Sequence, residues 1–227
     1  MKAENFKHWL PMPWLMSDFS ARAKLTTEFI GTFFLSLTIC TAAVLGTAGT
    51  LAPFAIASTL MVMIYAGGHI SGAHYNPAVT LSIYLRGACD KSDLAPYMAT
   101  QMAAGVTGAL VAVNLLVPEG TAESLVLETG PAFAAELLFT FALAYVILNV
   151  ATSETTEGNG FYGAAIALVV LAGALSVGSI SGASFNPAVT VSLIASDVLS
   201  IEDSWIHFVP QLAGGCLAAL AFKAQRL

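Results

Sequence analysis

The chain has 227 residues, of which 57% are hydrophobic and only 10% charged, with a mean hydropathy of +0.78 and a formal net charge of -6. A soluble domain carries roughly a quarter charged residues, so the long apolar runs here are read as membrane spans. No basic face is available for nucleic acid, and Cys40, Cys89 and Cys216 fit neither a disulfide framework nor a zinc site.

In chain order, Met1 to Ser20 lacks the continuous apolar core and small-residue cleavage site of a signal peptide and is read as an amphipathic or irregular lead-in, with Trp9 and Trp14 at the membrane interface. Six spans follow, over Lys24–Gly46, Leu51–Ala66, Leu94–Leu116, Pro131–Ala151, Phe161–Val177 and Trp205–Phe222. The second and fifth are short against the roughly 20 residues a spanning helix needs, but both continue into a Gly-rich run. Thr47–Thr50 reads as a tight turn, Val117–Gly130 as the one long polar connection, and Ala151–Gly160 as a polar loop. Trp205 reads as an interface anchor. Gly31, Gly105, Gly108, Gly214 and Gly215 read as close helix contacts.

The eight Lys and Arg stand at positions 2, 7, 22, 24, 86, 91, 223 and 226, before span one, between spans two and three, and after span six. With six spans all of these fall on one face. Cytoplasmic loops collect Lys and Arg, so a multi-pass protein of the plasma (inner) membrane with both termini cytoplasmic is expected.

The chain repeats itself. "GHISGAHYNPAVTLSIYL" from Gly68 and "GSISGASFNPAVTVSLIA" from Gly178 share 11 of 18 positions. "TTEFIGTFFL" opens span one and "AAELLFTFAL" opens span four. Glu28 precedes Asn76 by 48 residues, and Glu136 precedes Asn186 by 50. Each half (about 24–116 and 131–222, in a single transmembrane domain) is therefore three spans with one motif. Three is odd, so the halves enter the membrane with opposite sense, as an inverted repeat.

Asn-Pro-Ala reads as a helix start, with Asn as N-cap and Pro in the first turn. The segments after Asn76-Pro77-Ala78 and Asn186-Pro187-Ala188 run for about ten residues, roughly 15 Å, half of a hydrocarbon core of about 30 Å. Two re-entrant half-helices would then meet near the midplane. The preceding Gly-rich runs are read as unwound backbone, tolerated at that depth only where it is buried or lines a watery cavity, with a row of carbonyl acceptors along a pore. Each Asn can cap with its oxygen and keep its amide N–H donors for a passing molecule. The fold class expected is all-α: six transmembrane helices plus two half-helices.

Glu28 and Glu136 have two readings, a proton relay or a scaffold accepting hydrogen bonds from the re-entrant backbone; their place at span starts favours the scaffold. Gln101 and Gln211 sit at matching places in spans three and six, placed to bond the loops. His74 either gates by pH near its ordinary value of about 6.5 or makes a structural hydrogen bond. No nucleophile–base set or metal cluster appears, so neither an enzyme nor a cofactor is expected.

These motifs resemble those of the major intrinsic protein family, the aquaporins and their solute-conducting relatives, over about Lys24 to Phe222. The resemblance implies a homotetramer with one pore in each subunit, embedded in the lipid bilayer and passing water or small neutral solutes. It also implies a departure. The family usually places Arg directly after the second Asn-Pro-Ala, in a narrow filter with aromatic or His partners. Here Val189 stands there, and family spacing puts the other filter positions at Ile56, Ala174 and Ala183. Thr190 replaces the Asp usual in glycerol-conducting members. The chain thus resembles the unorthodox members that lack the filter Arg. Three classes stay open: a channel for water and small neutral solutes, a channel mainly for another solute such as glycerol, urea, ammonia, hydrogen peroxide or a gas, and a closed-pore structural protein.

Overall fold

The computed structural model describes residues 19–225, so the lead-in up to residue 18, with Trp9 and Trp14, lies outside the described residues. The helices are α1 (Ala21–Ile39), α2 (Ala52–Ser71), α3 (Pro77–Arg86), α4 (Lys91–Val111), α5 (Thr129–Ala151), α6 (Tyr162–Ser181), α7 (Pro187–Ala195) and α8 (Trp205–Ala224). Two of them run on through wide turns, α1 over Cys40–Val44 and α4 over Ala112–Leu116. Among the described residues, six helices are long and apolar enough to cross a membrane; α3 and α7 have ten and nine residues.

The half-helices start where the two Asn-Pro pairs stand. Asn76 and Asn186 are both extended, with φ near -157° and -158°. Each caps its helix: the side-chain oxygen accepts from the N–H of Ala78 or Ala188 at 2.9 Å. Pro follows in the first turn, where a missing N–H does no harm. Gly87, with φ +94°, closes α3 in the left-handed region that glycine adopts without strain. The guanidinium of Arg86 then reaches the Thr152 hydroxyl and carbonyl at the end of α5 and lies over the Phe222 ring of α8.

Each half-helix packs against the third span of the other repeat, α3 on α8 and α7 on α4. Two equivalent glycines permit this. A Cβ on Gly105 would stand 2.2 Å from the Ala188 carbonyl oxygen, and one on Gly215 would stand 2.6 Å from that of Ala78. The repeats are thereby interlocked. Gly31, Gly108 and Gly214 are close contacts within a repeat, against the Tyr75 ring and the Phe33 and Leu137 carbonyls.

The Gly-rich runs differ from the sequence expectation. Both preceding helices continue through them, to Ser71 and Ser181, so only Gly72–Tyr75 and Gly182–Phe185 are unwound. A glycine inside a helix costs about 1 kcal/mol, but leaving its polar backbone unpaired at membrane depth costs more. The second and fifth spans are accordingly full length. The fourth span begins at Thr129 and the third at Lys91, where Lys24 pairs with Asp93 at 2.9 Å and ties the start of α1 to the start of α4.

Candidate pore between the two half-helices

The unwound segments contain residues of positive φ that are not glycine: Ala73 (50°), Tyr75 (49°), Ala183 (49°) and Phe185 (49°). Each such residue is strained by about 1–3 kcal/mol, so something must hold the backbone there. In repeat one it is Glu28, wholly buried. Its two oxygens accept from the N–H of His74 (3.0 Å), the N–H of Tyr75 (2.8 Å), the Ser71 hydroxyl (2.6 Å) and the Gln101 amide (2.8 Å). Repeat two reproduces the set. Glu136 accepts from the N–H of Ser184 (3.0 Å), the N–H of Phe185 (2.7 Å), the Ser181 hydroxyl (2.7 Å) and the Gln211 amide (2.7 Å). Thr80 and Thr190 lie within 3.0 Å of the same glutamine nitrogens. The Thr that follows each Asn-Pro-Ala-Val thus connects half-helix to glutamine.

Sequence reasoning missed part of this cradle. The Tyr97 hydroxyl donates to the Ser71 carbonyl at 2.9 Å, and His207 Nε2 lies 2.8 Å from the Ser181 carbonyl. Both stand four residues before their glutamine. The repeat was hidden there because tyrosine and histidine share only a ring that carries a donor. His74 Nδ1 lies 3.2 Å from the Thr80 hydroxyl, with the ring edge-on to Tyr97. At the matching place Ser184 makes the same link to Thr190, at 2.9 Å.

The two Asn side chains meet across the repeats. Asn76 Nδ2 donates to the Phe185 carbonyl and Asn186 Nδ2 to the Tyr75 carbonyl, both at 2.9 Å. This corrects the expectation that both amide hydrogens stay free: one of each pair joins the repeats and the other has no partner among the described residues. The loop carbonyls behave differently from the loop N–H groups. Ser71, Ser181 and the two carboxyls take up the N–H groups of residues 73–75 and 183–185. Among the described residues no donor reaches the carbonyls of Gly72, Ala73, His74, Gly182, Ala183 or Ser184.

Those six residues and both Asn line one cavity of about 1320 Å³. It reaches from Glu123 and Val198 at one end to Thr152 and Asn159 at the other. Ile56, Ala174, Ala183 and Val189 all line it, and Val189 is 3% exposed. The 117–130 connection supplies a further wall residue: the Leu125 N–H donates to the Val198 carbonyl at 2.8 Å, and its side chain lies against Gly182. The apolar run Leu125-Val126-Leu127 within that polar connection is its one sign in the sequence. None of the three cysteines lines the cavity.

Six spanning helices around a through-running cavity with free backbone acceptors define a membrane channel. Residues 16–222 match the family model for the major intrinsic protein. The chain is 36% identical over 217 residues to aquaporin NIP1-3 of Oryza sativa subsp. japonica, covering 89% of this chain and 73% of that protein. It is 34% identical over 221 residues to aquaporin NIP1-2 of Arabidopsis thaliana, covering 89% and 74%. The X-ray structure of the aquaglyceroporin from Plasmodium falciparum shares the fold, with TM-score 0.73 and 20% identity over 88% of this chain and 95% of that one. The chain belongs to the major intrinsic protein family, as an aquaporin-type channel for small solutes.

Proposed function

We propose that the cavity is a passive pore for water and other small uncharged solutes, with Asn76 and Asn186 at its centre and Ile56, Ala174, Ala183 and Val189 as a wide apolar filter. The observation that carries this reading is the set of unsatisfied carbonyls beside the two Asn amides. Buried backbone acceptors need partners, and a file of water or small hydroxylated solutes supplies them. Glu28 and Glu136 act as scaffold rather than relay, since each already accepts four hydrogen bonds. His74 is a structural link, because a serine makes the same contact in the other repeat. Pro77, Ala78, Pro187 and Ala188 set the half-helix starts, and their positive ends disfavour cations. Both termini are cytoplasmic by the distribution of Lys and Arg, in the plasma membrane, and four subunits assemble with a pore in each.

Water efflux from proteoliposomes after a hyperosmotic step tests the reading. Shrinkage faster than in protein-free vesicles is expected; an unchanged rate would leave the closed-pore structural protein. Mercurials should leave this flux nearly unaltered. Cys40 is fully buried, none of the three cysteines lines the cavity, and burial, then Asp93 and Asp90, push the Cys89 thiol up to about 11. At neutral pH Cys89 is therefore a protonated, weakly reactive thiol. Strong block that vanishes in a cysteine-free variant would contradict this.

A further inference from the structure

The inverted repeat implies a second ring. Relative to their own or the opposite Asn, the outer filter residues occupy fixed offsets: Ile56 is 20 before Asn76, while Ala174, Ala183 and Val189 are 12 before, three before and three after Asn186. Exchanging the repeats gives Ile166, Ile64, Ala73 and Val79. All four line the same cavity. Each spanning helix contributes once to each ring: Ile56 and Ile64 lie eight residues, about 12 Å, apart on α2, as do Ile166 and Ala174 on α6. The two rings match residue for residue, Ile with Ile, Ala with Ala and Val with Val, except that Ile64 stands opposite Ala174.

The exposures follow that one difference. Ile166 is 5% exposed against 8% for Ile56, and Val79 is 1% against 3% for Val189. Ala73 and Ile64 are buried, at 9% and 3%, whereas their counterparts Ala183 and Ala174 are both partly exposed. Every member of the second ring is less reachable than its partner. Three extra carbons at one of four positions narrow a ring whose other three members are unchanged.

We propose that Ile64 sets the size limit of this channel, in an inner apolar ring with Ala73, Val79 and Ile166, and that the outer ring is the wider of the two. The proposal rests on the reading of the cavity as a conducting pore. An apolar ring offers no donor, so it sorts neutral solutes by width, and a ring that is too narrow dewets and closes. Removing carbons at Ile64 should therefore raise the passage of larger solutes more than that of water. Ala174→Ile should install the same narrowing at the outer ring.

The experiment measures water, urea and glycerol permeability in proteoliposomes carrying wild type, Ile64→Val, Ile64→Ala or Ala174→Ile at equal protein content. The expected result is a graded rise in the glycerol-to-water ratio, slight for Ile64→Val and several-fold for Ile64→Ala. Ala174→Ile should lower the ratio less than Ile64→Ala raises it. A ratio unchanged in both Ile64 variants while wild type conducts water overturns the proposal and leaves the pore reading intact. Ile64→Val decides the matter if Ile64→Ala yields no folded protein. Wild type that passes no water while Ile64→Ala does would support the inner ring and contradict the open pore; no water flux in any variant overturns both.

Discussion

Glu136→Ala should abolish the folded channel or lower its melting temperature sharply. The substitution removes the acceptor for four buried donors: the Ser181 hydroxyl, the Ser184 and Phe185 N–H groups and the Gln211 amide. An unsatisfied buried donor costs about 1–3 kcal/mol. The sum rivals a typical stability of about 5–15 kcal/mol. The strain at Ala183 and Phe185 is also released once nothing holds their backbone. Glu136→Gln keeps the shape and one acceptor oxygen but turns an amide toward the other donors, so its effect should be intermediate. Glu28→Ala should match Glu136→Ala because the cradle is duplicated. Thermal unfolding in detergent, with the yield of extractable protein, reads the effect. A melting temperature near wild type for either alanine variant would show that the carboxyls do not hold the re-entrant segments.

Val189→Arg should lower solute flux more than water flux and shrink any proton leak. Val189 lines the cavity beside Ile56, Ala174 and Ala183, none of which has a polar side chain. An arginine there adds bulk, a fixed charge and five N–H donors. Its charge acts on a passing cation at close range: two like charges about 4 Å apart repel by about 4 kcal/mol at an effective dielectric constant near 20. Each 1.36 kcal/mol is about tenfold in rate, so the leak of cations and hydronium should fall by orders of magnitude. Neutral solutes meet mainly the added bulk, and water meets least of it. Permeabilities of wild type and variant in matched vesicles decide the matter. Equal exclusion of glycerol and urea by both would leave sorting of solutes to the inner ring at Ile64 and show that Val189 takes no part in it.

The architecture was legible because two signals repeat. Apolar runs marked the six spans, and the doubled Asn-Pro-Ala with its paired Glu marked the half-helices, since cap chemistry is local and needs no partner. Other features depended on contacts that no local pattern carries. α2 continues through Gly67 and Gly68, and Gly67 is there because a Cβ would strike Tyr75 and Thr27, so a Gly pair that reads as a breaker remains helical. The join between the two Asn amides and the opposite loop carbonyls spans more than a hundred residues of chain. Tyr97 and His207 perform one task with different side chains, which hides them from a search for identities. Leu125 sits in a connection that reads as solvent-exposed. The candidate filter positions, by contrast, followed from the resemblance alone and fall on the cavity wall.

Entry of glycerol and urea into proteoliposomes carrying the wild-type chain, followed as re-swelling in an inward solute gradient, tests the conducting pore most directly. Re-swelling faster than in protein-free vesicles, in preparations whose water flux is also raised, is the result the account predicts. Raised water flux with glycerol and urea entry no faster than through lipid alone, in wild type and in Ile64→Ala alike, would contradict the wide, arginine-free filter.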